Sequence, residues 1–421
     1  MGTFSELADF ESEPDVTDSQ SELSPTSTLY SPLTNSLHGV RKLVVCVDGT
    51  WQHPGTVSDV ESMGGVKVTA AMTPSNVVKI AYLAQQLGKE SNSPQKIYYH
   101  SGVGTEVDDA TDRALEGFPH LFLEFEPNRF LLSGAFGNIK EYVVDAYTWL
   151  AKEYQPGDEI YAFGFSRGST VVRSLFSLLR FSGLPATVPK DQDSLNAIVN
   201  LHYAHYETRL DRAGKQTPLP QDHIIPTLQF LGVFDTVTAL ECVGIIEEND
   251  YHDMNIGMTV KNAAHAISID EKRSYFLPTL FEAVPQLPEG LTREQVWFRG
   301  DHADIGGGWW EQELSLIPLK WMIDKAREAG LDVRDATEFD SSFVPFLLGA
   351  SQKSLQSRKN IKVHDYFASL KSESNSTMGK KVSRDVSGYM KDSNKYFPSK
   401  LHESVARLGN LLPPAENLAI V

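Results

Sequence analysis

The sequence predicts an α/β fold in which a mostly parallel sheet is covered by helices on both faces, with insertions and a C-terminal appendage. Short runs of β-branched and other apolar residues alternate along the chain with stretches whose apolar residues recur at helical spacing. The short runs are apolar at nearly every position, which is typical of parallel strands buried on both faces. The crossovers between such strands are right-handed, and because the strands run in one direction, we expect their carboxyl ends to share one edge of the sheet.

The first part of this alternation begins at Arg41. RKLVVCVDGT predicts a buried strand that ends in an Asp-Gly turn, and KIYYHSGVG predicts a second strand that ends in a glycine-rich loop. Between them, SNVVKIAYLAQQLG predicts a helix with Ser75 as its N-cap and a Gly at its end. Residues 106–136 have no regular pattern and contain an aromatic cluster, so we expect an irregular insertion and a candidate lid.

The second part continues the alternation. NIKEYVVDAYTWLAKEY predicts an amphipathic helix that ends at a Pro-Gly turn, EIYAFGF predicts a strand, and STVVRSLFSLLRFSG predicts the helix after it. TLQFLGVFD predicts another buried strand, and VWFR has a strand-like composition. The segment NAAHAISIDEKR has a helix-like pattern instead.

Composition excludes several classes of function. The 421-residue chain has 38 basic and 55 acidic residues and a formal net charge of −17, which argues against a basic surface for nucleic acid. Its two cysteines are too few for a disulfide framework or a thiolate zinc site. No apolar run is long enough to span a membrane, and the acidic N-terminus lacks the apolar core of a secretory signal. We expect a cytoplasmic protein without nucleic-acid partners or integral membrane segments; transient contact with a membrane surface and the oligomeric state stay open.

Composition also divides the chain into three parts. Residues 1–39 contain seven acidic side chains and no Lys or Arg among many Ser and Thr, which predicts a disordered tail. Residues 40–330 carry the alternating pattern and are predicted to form a catalytic domain. Residues 331–421 are mixed in composition, and we expect an extension that packs on or caps that domain.

The strongest functional motif is G-x-S-x-G at residues 164–168. The five letters alone are weak, but here a strand runs into them and a helix runs out, which is the context of a nucleophile elbow. In such a turn the hydroxyl of Ser166 would be exposed at the carboxyl edge of the sheet, near the positive end of the helix. We predict that Ser166 is a nucleophile; a structural Gly-Ser turn is the alternative.

A serine nucleophile needs a base, and the base needs an acid that holds its tautomer. In α/β hydrolases these residues follow in the order Ser, then Asp or Glu, then His. Asp235 ends a buried strand and is the predicted acid, and His302, in the loop RGDHADIGGGWW, is the predicted base. His265 is a competing candidate for the base, but we interpret it as a packed or hydrogen-bonded histidine. Asp270 is an alternative acid or a salt-bridge partner for Arg273.

Hydrolysis through a serine also needs N–H donors for the oxyanion. The N–H of Arg167 is the first predicted donor, and Gly49 or Thr50, after the first strand, is the predicted second. Asp48 would pin that turn. We expect no cofactor and no metal, although four scattered residues offer oxygen ligands for a divalent cation as an alternative: Asp48, Asn76, Asp301 and Asp304.

Seven ordered segments together resemble a known family. They are VVCVDGTWQ, SNVVKI, YHSGVGT, NIKEYVVDAYTWLAKEYQPGDEIYAFGFSRGS, GVFDTVTAL, NAAHAISIDEKRSYFLPTLF and VWFRGDHADIGGGW, within about residues 41–322. The chain resembles the α/β hydrolases related to the phospholipase effectors of bacterial type VI secretion, a family with many fungal members. Ser169 and Ala303 depart from residues that are common in this family, and neither belongs to the predicted triad.

The resemblance implies an α/β-hydrolase-like fold with Ser166 as nucleophile, Asp235 as acid and His302 as base. It also implies that a small-molecule ester or lipid, such as a phospholipid, is the substrate. Two alternatives stay open, because a fold alone does not define a function. One is a hydrolase of amide or thioester bonds with the same triad, and the other is a non-catalytic scaffold or binding protein that acts through its acidic tail.

Overall fold

A computed structural model describes part of the 421-residue chain. The predicted tail (1–39), the candidate lid (106–136) and Thr50 lie outside the described residues, so the predictions for them stay predictions. The described residues are 40–49, 60–61, 67–68, 74–90, 95–102, 139–209, 217–219, 222–238, 254–309, 311–333, 361–365 and 381–409.

The described strands form one large sheet and two small antiparallel pairs. The small pairs are β2 (Val60–Glu61) with β3 (Lys67–Val68), and β6 (Leu184–Pro185) with β7 (His223–Ile224). The large sheet contains the other seven: β1 (Lys42–Val47), β4 (Gln95–His100), β5 (Glu159–Phe165), β8 (Thr227–Phe234), β9 (Val260–Ser268), β10 (Thr292–Phe298) and β11 (Lys400–Leu401).

The large sheet is parallel throughout and has the order β11-β10-β9-β8-β5-β1-β4. The chain passes from β1 to β4 on one side and then crosses to β5 on the other side, so the strand order reverses at β1. In open parallel sheets the crevice outside the carboxyl ends at such a point is where ligands bind. The topology therefore favours a site after β1 and β5.

Eight α-helices lie within the described ranges. They are α1 (Asn76–Glu90), α2 (Ile139–Glu153), α3 (Arg167–Ser182), α4 (Gln192–Glu207), α5 (His302–Gly306), α6 (Leu316–Glu328), α7 (Val386–Lys391) and α8 (Glu403–Leu408). A single 3₁₀ turn at Ser274–Phe276 follows β9.

Helices cover both faces of the sheet, as the side chains of β1 illustrate. Leu43 and Val45 belong to the core on the side of α2, α3 and α4, while Val44 and Cys46 belong to the core on the side of α1 and α6. All four are fully buried, which explains why the strand is apolar at every central position. The predicted α/β fold with a parallel sheet is confirmed.

Two local predictions were wrong. The segment NAAHAISIDEKR is mostly strand β9, paired with β8 and β10, instead of a helix. A short apolar run that is buried on both faces cannot be distinguished from a buried helix by periodicity. His302 begins the short helix α5 instead of lying in a loop, because Asp301 and Asp304 form a reciprocal capping box there.

The C-terminal part of the described chain takes part in the same sheet. Strand β11 pairs with β10, and Val386 and Val405 share an apolar cluster with Trp297 of β10 and Ile267 of β9. The indole Nε1 of Trp297 also donates a hydrogen bond to Ser399, at 3.0 Å. The boundary predicted at residue 330 stays a prediction, but residues beyond it contribute to the core beside β9 and β10.

No helix of the described ranges combines the length and the hydropathy that crossing a membrane requires.

Candidate active site

Ser166 occupies the sharp turn between β5 and α3, at the carboxyl edge of the sheet. It is the N-cap residue of α3, and its φ of 54° is unusual for a residue with a side chain. The N–H of Ser166 donates to the carbonyl of Phe234, the last residue of β8, at 3.0 Å. This bond ties the turn to the neighbouring strand. Backbone strain of this kind clusters at functional sites.

The two glycines of the motif allow the backbones around Ser166 to approach closely. A Cβ on Gly168 would lie 2.3 Å from the carbonyl oxygens of Val47 and Asp48, at the end of β1. A Cβ on Gly164 would lie 2.6 Å from the carbonyl oxygen of Gly168. Backbone atoms cannot move aside as a flexible side chain can. Glycine is therefore required at both positions for steric reasons.

Arg167 is the predicted oxyanion donor next to Ser166. It is the first residue of α3 and is buried. The N–H groups of the first helical turn point out of the helix end and favour a negative charge there. The geometry of the turn is therefore suited to an oxyanion at this end of α3.

Asp235 directly follows β8, the strand whose last carbonyl binds the N–H of Ser166. Its φ is 39°, and Ser166 and Asp235 are the only non-glycine residues with positive φ in the part of the chain that the structure describes. The side chain is completely buried, so its oxygens need partners. The N–H of Ser268 donates to Oδ1 at 3.0 Å, and His302 binds Oδ2.

The ring of His302 is held by Asp235 and by two aromatic rings. Its Nδ1 is 2.6 Å from Oδ2 of Asp235, which assigns the proton to Nδ1 and leaves Nε2 as the basic nitrogen. The ring centroid lies 4.6 Å from that of Phe165 and 5.0 Å from that of Phe276. The backbone N–H of His302 donates to Glu271 at 3.2 Å. The acid and the base predicted from the sequence are thus in contact.

Burial and charge act in opposite directions on this pair. Burial lowers the pKa of His302 below its ordinary value despite the bond to Asp235, so the imidazole is mostly neutral at pH 7. Burial alone would raise the pKa of Asp235, but the charge of Arg384 and the bond from His302 outweigh it and hold that pKa well below its ordinary value. An ionised Asp235 is what stabilises an imidazolium.

The turn after β1 is organised by the buried Asp48. Its carboxylate accepts hydrogen bonds from the N–H of Gly49 at 2.8 Å, the hydroxyl of Ser75 at 2.9 Å and the hydroxyl of Tyr99 at 3.0 Å. Burial raises the pKa of Asp48 to about 6, although these hydrogen bonds act to lower it. The N–H of Gly49 is already engaged, so in this conformation it is not available to an oxyanion as the sequence predicted. Thr50, the other predicted donor, is not among the described residues.

His265 has a different environment from that of His302. It lies on β9, is fully buried, and its Nε2 accepts the N–H of Thr236 at 3.1 Å. Burial lowers the pKa of His265 to about 3, so the ring is neutral at physiological pH. With Nε2 occupied, this histidine holds the backbone next to Asp235. The geometry favours the hydrogen-bonded interpretation over a role as base.

The partners of Asp270 are different from those of Asp235 and His302. Its Oδ2 accepts from Nε of Arg299 at 2.8 Å and from the N–H of Gly300 at 2.7 Å. The predicted pair of Asp270 with Arg273 was wrong, because Arg273 binds both oxygens of Glu271, at 2.8 and 2.7 Å. The backbone N–H of Arg273 also donates to Oε1 of Glu271, at 2.7 Å, which reinforces this pair.

The residues that could have formed a cation site each take part in structural hydrogen bonds, although Oδ1 of Asn76 and Oδ2 of Asp301 are buried without a partner among the described residues. Asp301 and Asp304 accept each other's backbone N–H, at 2.9 and 3.0 Å, and Asp304 also binds Nδ1 of His364 at 2.7 Å. Asn76 donates to two backbone carbonyls. Among the described ranges, no group of three or more His, Cys, Asp or Glu side chains is arranged to hold a metal ion.

Three residues around the pair were not predicted. Glu271 and Phe276 follow the carboxyl end of β9, a position that could have drawn attention to them if β9 had been predicted as a strand. Arg384, which contacts Asp235, lies 149 residues further along the chain, in a polar segment without a recognisable motif. No local signal could have found it.

Comparisons with known proteins agree with the resemblance. A model of the Tle1-like phospholipase effector catalytic domain of the type VI secretion system matches residues 41–325. An uncharacterized protein of Saccharomyces cerevisiae, YEL023C, is 26% identical over 274 residues, which is 62% of this chain and 35% of that protein. The chain therefore spans about a third of the length of this curated relative.

Two solved structures are also similar. One is an uncharacterized protein from Pseudomonas aeruginosa, with a TM-score of 0.41 and 15% identity over 78% of this chain and 52% of that chain. The other is the Tle1 effector bound to the VgrG spike of the type VI secretion system, with a TM-score of 0.34 and 14% identity over 84% of this chain and 87% of that chain.

Proposed function

The chain belongs to the family of Tle1-like phospholipase effector catalytic domains, as its motifs indicated, and from this premise we propose that it is a serine hydrolase of carboxylic esters. Acyl esters of lipids or phospholipids are the proposed substrates. The family supports a lipid hydrolase, and the proposal adds the bond that is cleaved and the residues that cleave it.

The observation that carries the proposal is a buried Asp–His pair beside a strained serine. The 2.6 Å bond between Asp235 and His302 fixes the tautomer of a general base. Ser166 is tied to the strand that ends next to Asp235, and the ring of Phe165, its neighbour in the chain, contacts the ring of His302. A serine, a neutral imidazole and an ionised carboxylate at one edge of a sheet are the groups that acyl transfer to water requires.

In the proposed reaction, Oγ of Ser166 attacks the ester carbonyl carbon while Nε2 of His302 takes the hydroxyl proton. The carbonyl oxygen becomes an oxyanion next to the N–H of Arg167. Asp235 stabilises the imidazolium, which then gives its proton to the leaving alkoxide as the acyl–oxygen bond breaks. Water, activated by His302, attacks the acyl-enzyme and restores Ser166.

Labelling by a fluorophosphonate probe tests the nucleophile directly. Wild type should be labelled and should hydrolyse a short ester, whereas Ser166→Ala and His302→Ala should lose both activities. Ser174→Ala is a matched control, because Ser174 is a buried serine of the same helix, two turns further on. Its labelling should equal that of wild type. A folded wild type without labelling or turnover would contradict the proposal.

A substrate panel tests the bond. The panel contains an ester, an amide and a thioester with the same acyl chain, followed by a diacyl phospholipid in vesicles. The enzyme should have its highest kcat/KM on the esters. Faster cleavage of the amide or thioester than of the ester would be compatible with the proposed triad but would overturn the proposed ester specificity.

A further inference from the structure

Arg384 reaches the candidate site from a distant part of the chain. Its Nη1 lies 2.6 Å from Oδ1 of Asp235 and its Nη2 lies 3.0 Å from Oδ2. Both side chains are almost completely buried, with exposures of 1% and 0%. Two parallel N–H···O bonds from a planar guanidinium fix the plane of a carboxylate as well as its position.

The same guanidinium is bound to the segment that contacts His302. Its Nη1 donates to the carbonyl of Ser268 at 2.8 Å, and its Nη2 donates to the carbonyl of Phe276. The N–H of Ser268 binds Asp235, and the ring of Phe276 contacts that of His302. Arg384 therefore joins the acid to the backbone that lines the base.

The region around Arg384 is anchored independently. The N–H of Val382 donates to the carbonyl of Lys272 at 2.7 Å, and Val386 packs in the cluster of Trp297 and Ile267. The family match ends at residue 325, so Arg384 comes from a part of the chain beyond the matched catalytic domain.

We propose that Arg384 is a positioning residue of the active site, which holds the Asp235 carboxylate in the orientation that receives the Nδ1–H of His302 and limits how strongly that carboxylate favours the protonated imidazole. The proposal rests on the proposed function of Ser166, Asp235 and His302. It makes the C-terminal segment part of the catalytic machinery.

The sign of the charge effect follows from the neighbours of His302. Asp235, at the end of β8, and Glu271, after β9, favour the imidazolium, whereas Arg273 disfavours it. Arg384 neutralises Asp235, so its removal leaves a stronger negative field at the ring, and the pKa of His302 should rise. Asp301, the N-cap residue of α5, and Asp304, within α5, accept each other's backbone N–H, and Asp304 also binds His364.

The test compares the full-length Arg384→Gln and Arg384→Lys variants with wild type. For Arg384→Gln, kcat/KM on a short ester should fall about 10- to 100-fold, because a carboxylate held only by Ser268 and His302 positions the base less accurately. The acid limb of its pH profile should move up by about one pH unit. Arg384→Lys keeps the positive charge but cannot bond both oxygens of Asp235 in one plane, so its kcat/KM should fall. The acid limb of its pH profile should stay close to that of wild type.

Arg293→Gln is the control for the loss of a half-buried arginine that bonds backbone carbonyls. Arg293 lies at the amino end of β10, away from the active edge, and donates to the carbonyls of Gly257 and Val260, at 2.8 and 2.6 Å. Its variant should lose thermal stability but keep the acid limb of wild type. A shift of the limb in both variants would attribute the effect to loosened packing and would overturn the proposal.

Titration of the His302 ring by NMR gives a readout that needs no catalysis. If the pKa of His302 rises in Arg384→Gln, the positioning role is supported. If the wild type at the same time hydrolyses no ester, the proposed function alone is refuted. An unchanged pKa together with wild-type kcat/KM would refute the positioning role and leave the hydrolase intact. If Arg384→Gln does not fold, Arg384→Lys decides: wild-type kcat/KM in that variant would also refute the proposal.

Discussion

The two halves of the candidate site are assembled in different ways. The turn of the proposed nucleophile is mostly local, since Gly164, Ser166 and Gly168 lie within five residues and the turn contacts only the ends of the neighbouring strands β1 and β8. The acid–base half comes from three distant places: His302 and Arg384 lie 67 and 149 residues after Asp235 in the chain. Backbone sterics shape the first half, and buried charges hold the second half together.

This difference predicts how each half responds to change. A turn formed by close backbone contacts should be sensitive to added volume and indifferent to pH. A pair formed by buried charges should be sensitive to charge and pH, because each partner depends on the others for its ionisation state. Four predictions test this contrast, beginning with the largest expected effect.

Asp235→Asn should lower kcat about 10⁴-fold, because an amide no longer stabilises the imidazolium or holds the Nδ1–H tautomer. It should also lower the free energy of unfolding by roughly 3 kcal/mol or more, since the charge of Arg384 is left buried without its partner. Steady-state kinetics and urea unfolding measure the two effects. Asp270→Asn, at a carboxylate bound to Arg299 instead, should keep kcat within tenfold of wild type. Equal losses in both variants would contradict the assignment of the acid.

Gly168→Ala should lower the free energy of unfolding by about 3 kcal/mol or more, because its methyl group would lie 2.3 Å from two backbone oxygens. Labelling of Ser166 should be lost in any fraction that folds. Gly157→Ala is the control: Gly157 has a φ of 100° but no atom within 4 Å of an added Cβ, so only backbone strain of about 1 kcal/mol is expected. Chemical denaturation measures the free energy of unfolding of both variants. Equal losses would show that the clash at Gly168 is not the main cause of destabilisation.

Acidification should stop catalysis before it affects the contribution of Asp235 to stability. The base must be neutral, and burial lowers the pKa of His302, so kcat/KM should be constant above about pH 6.5 and fall tenfold per pH unit below that pKa. The lowered pKa of Asp235 contributes stability that is fully present above its unfolded value of about 4 and is lost as the pH falls through the folded value. A pH profile whose acid limb begins above pH 7 would contradict a neutral, buried base.

His265→Gln should have the smallest effect on catalysis, less than about tenfold in kcat, because His265 accepts a backbone N–H instead of contacting the nucleophile. The free energy of unfolding should fall by about 1–3 kcal/mol through the disturbed bond to Thr236. Labelling and thermal denaturation together separate the two roles. A folded variant as inactive as His302→Ala would instead identify His265 as the base.

The order of strands and helices was readable because local pattern and tertiary environment agree. The apolar β1 is buried on both faces, and Ser75 caps α1 with its hydroxyl 3.2 Å from the N–H of Val78, as its position before the helix predicted. The same logic failed at β9, a nine-residue strand in which the spacing of the apolar residues is compatible with either a strand or a helix. Its parallel neighbours β8 and β10 decided between them.

The sequence was enough to prefer His302 over His265 as the base. It did not predict the hydrogen-bond partners of either ring. Only the folded chain shows that Nε2 of His265 is occupied by a backbone N–H and that the N–H of Gly49 is taken by Asp48. Both are contacts of one particular atom, and a sequence pattern does not carry the direction of a hydrogen bond.

The sequence was sufficient for the parallel sheet, the elbow and the acid–base candidates, because periodicity, strand ends and glycine spacing are local properties of the chain. The tertiary structure alone brought Arg384 to Asp235 and the ring of Phe276 to His302. Partners of a buried charge are selected by position in space and by the cost of leaving that charge unpaired. That cost does not depend on how many residues separate the partners, so no short window of sequence contains it.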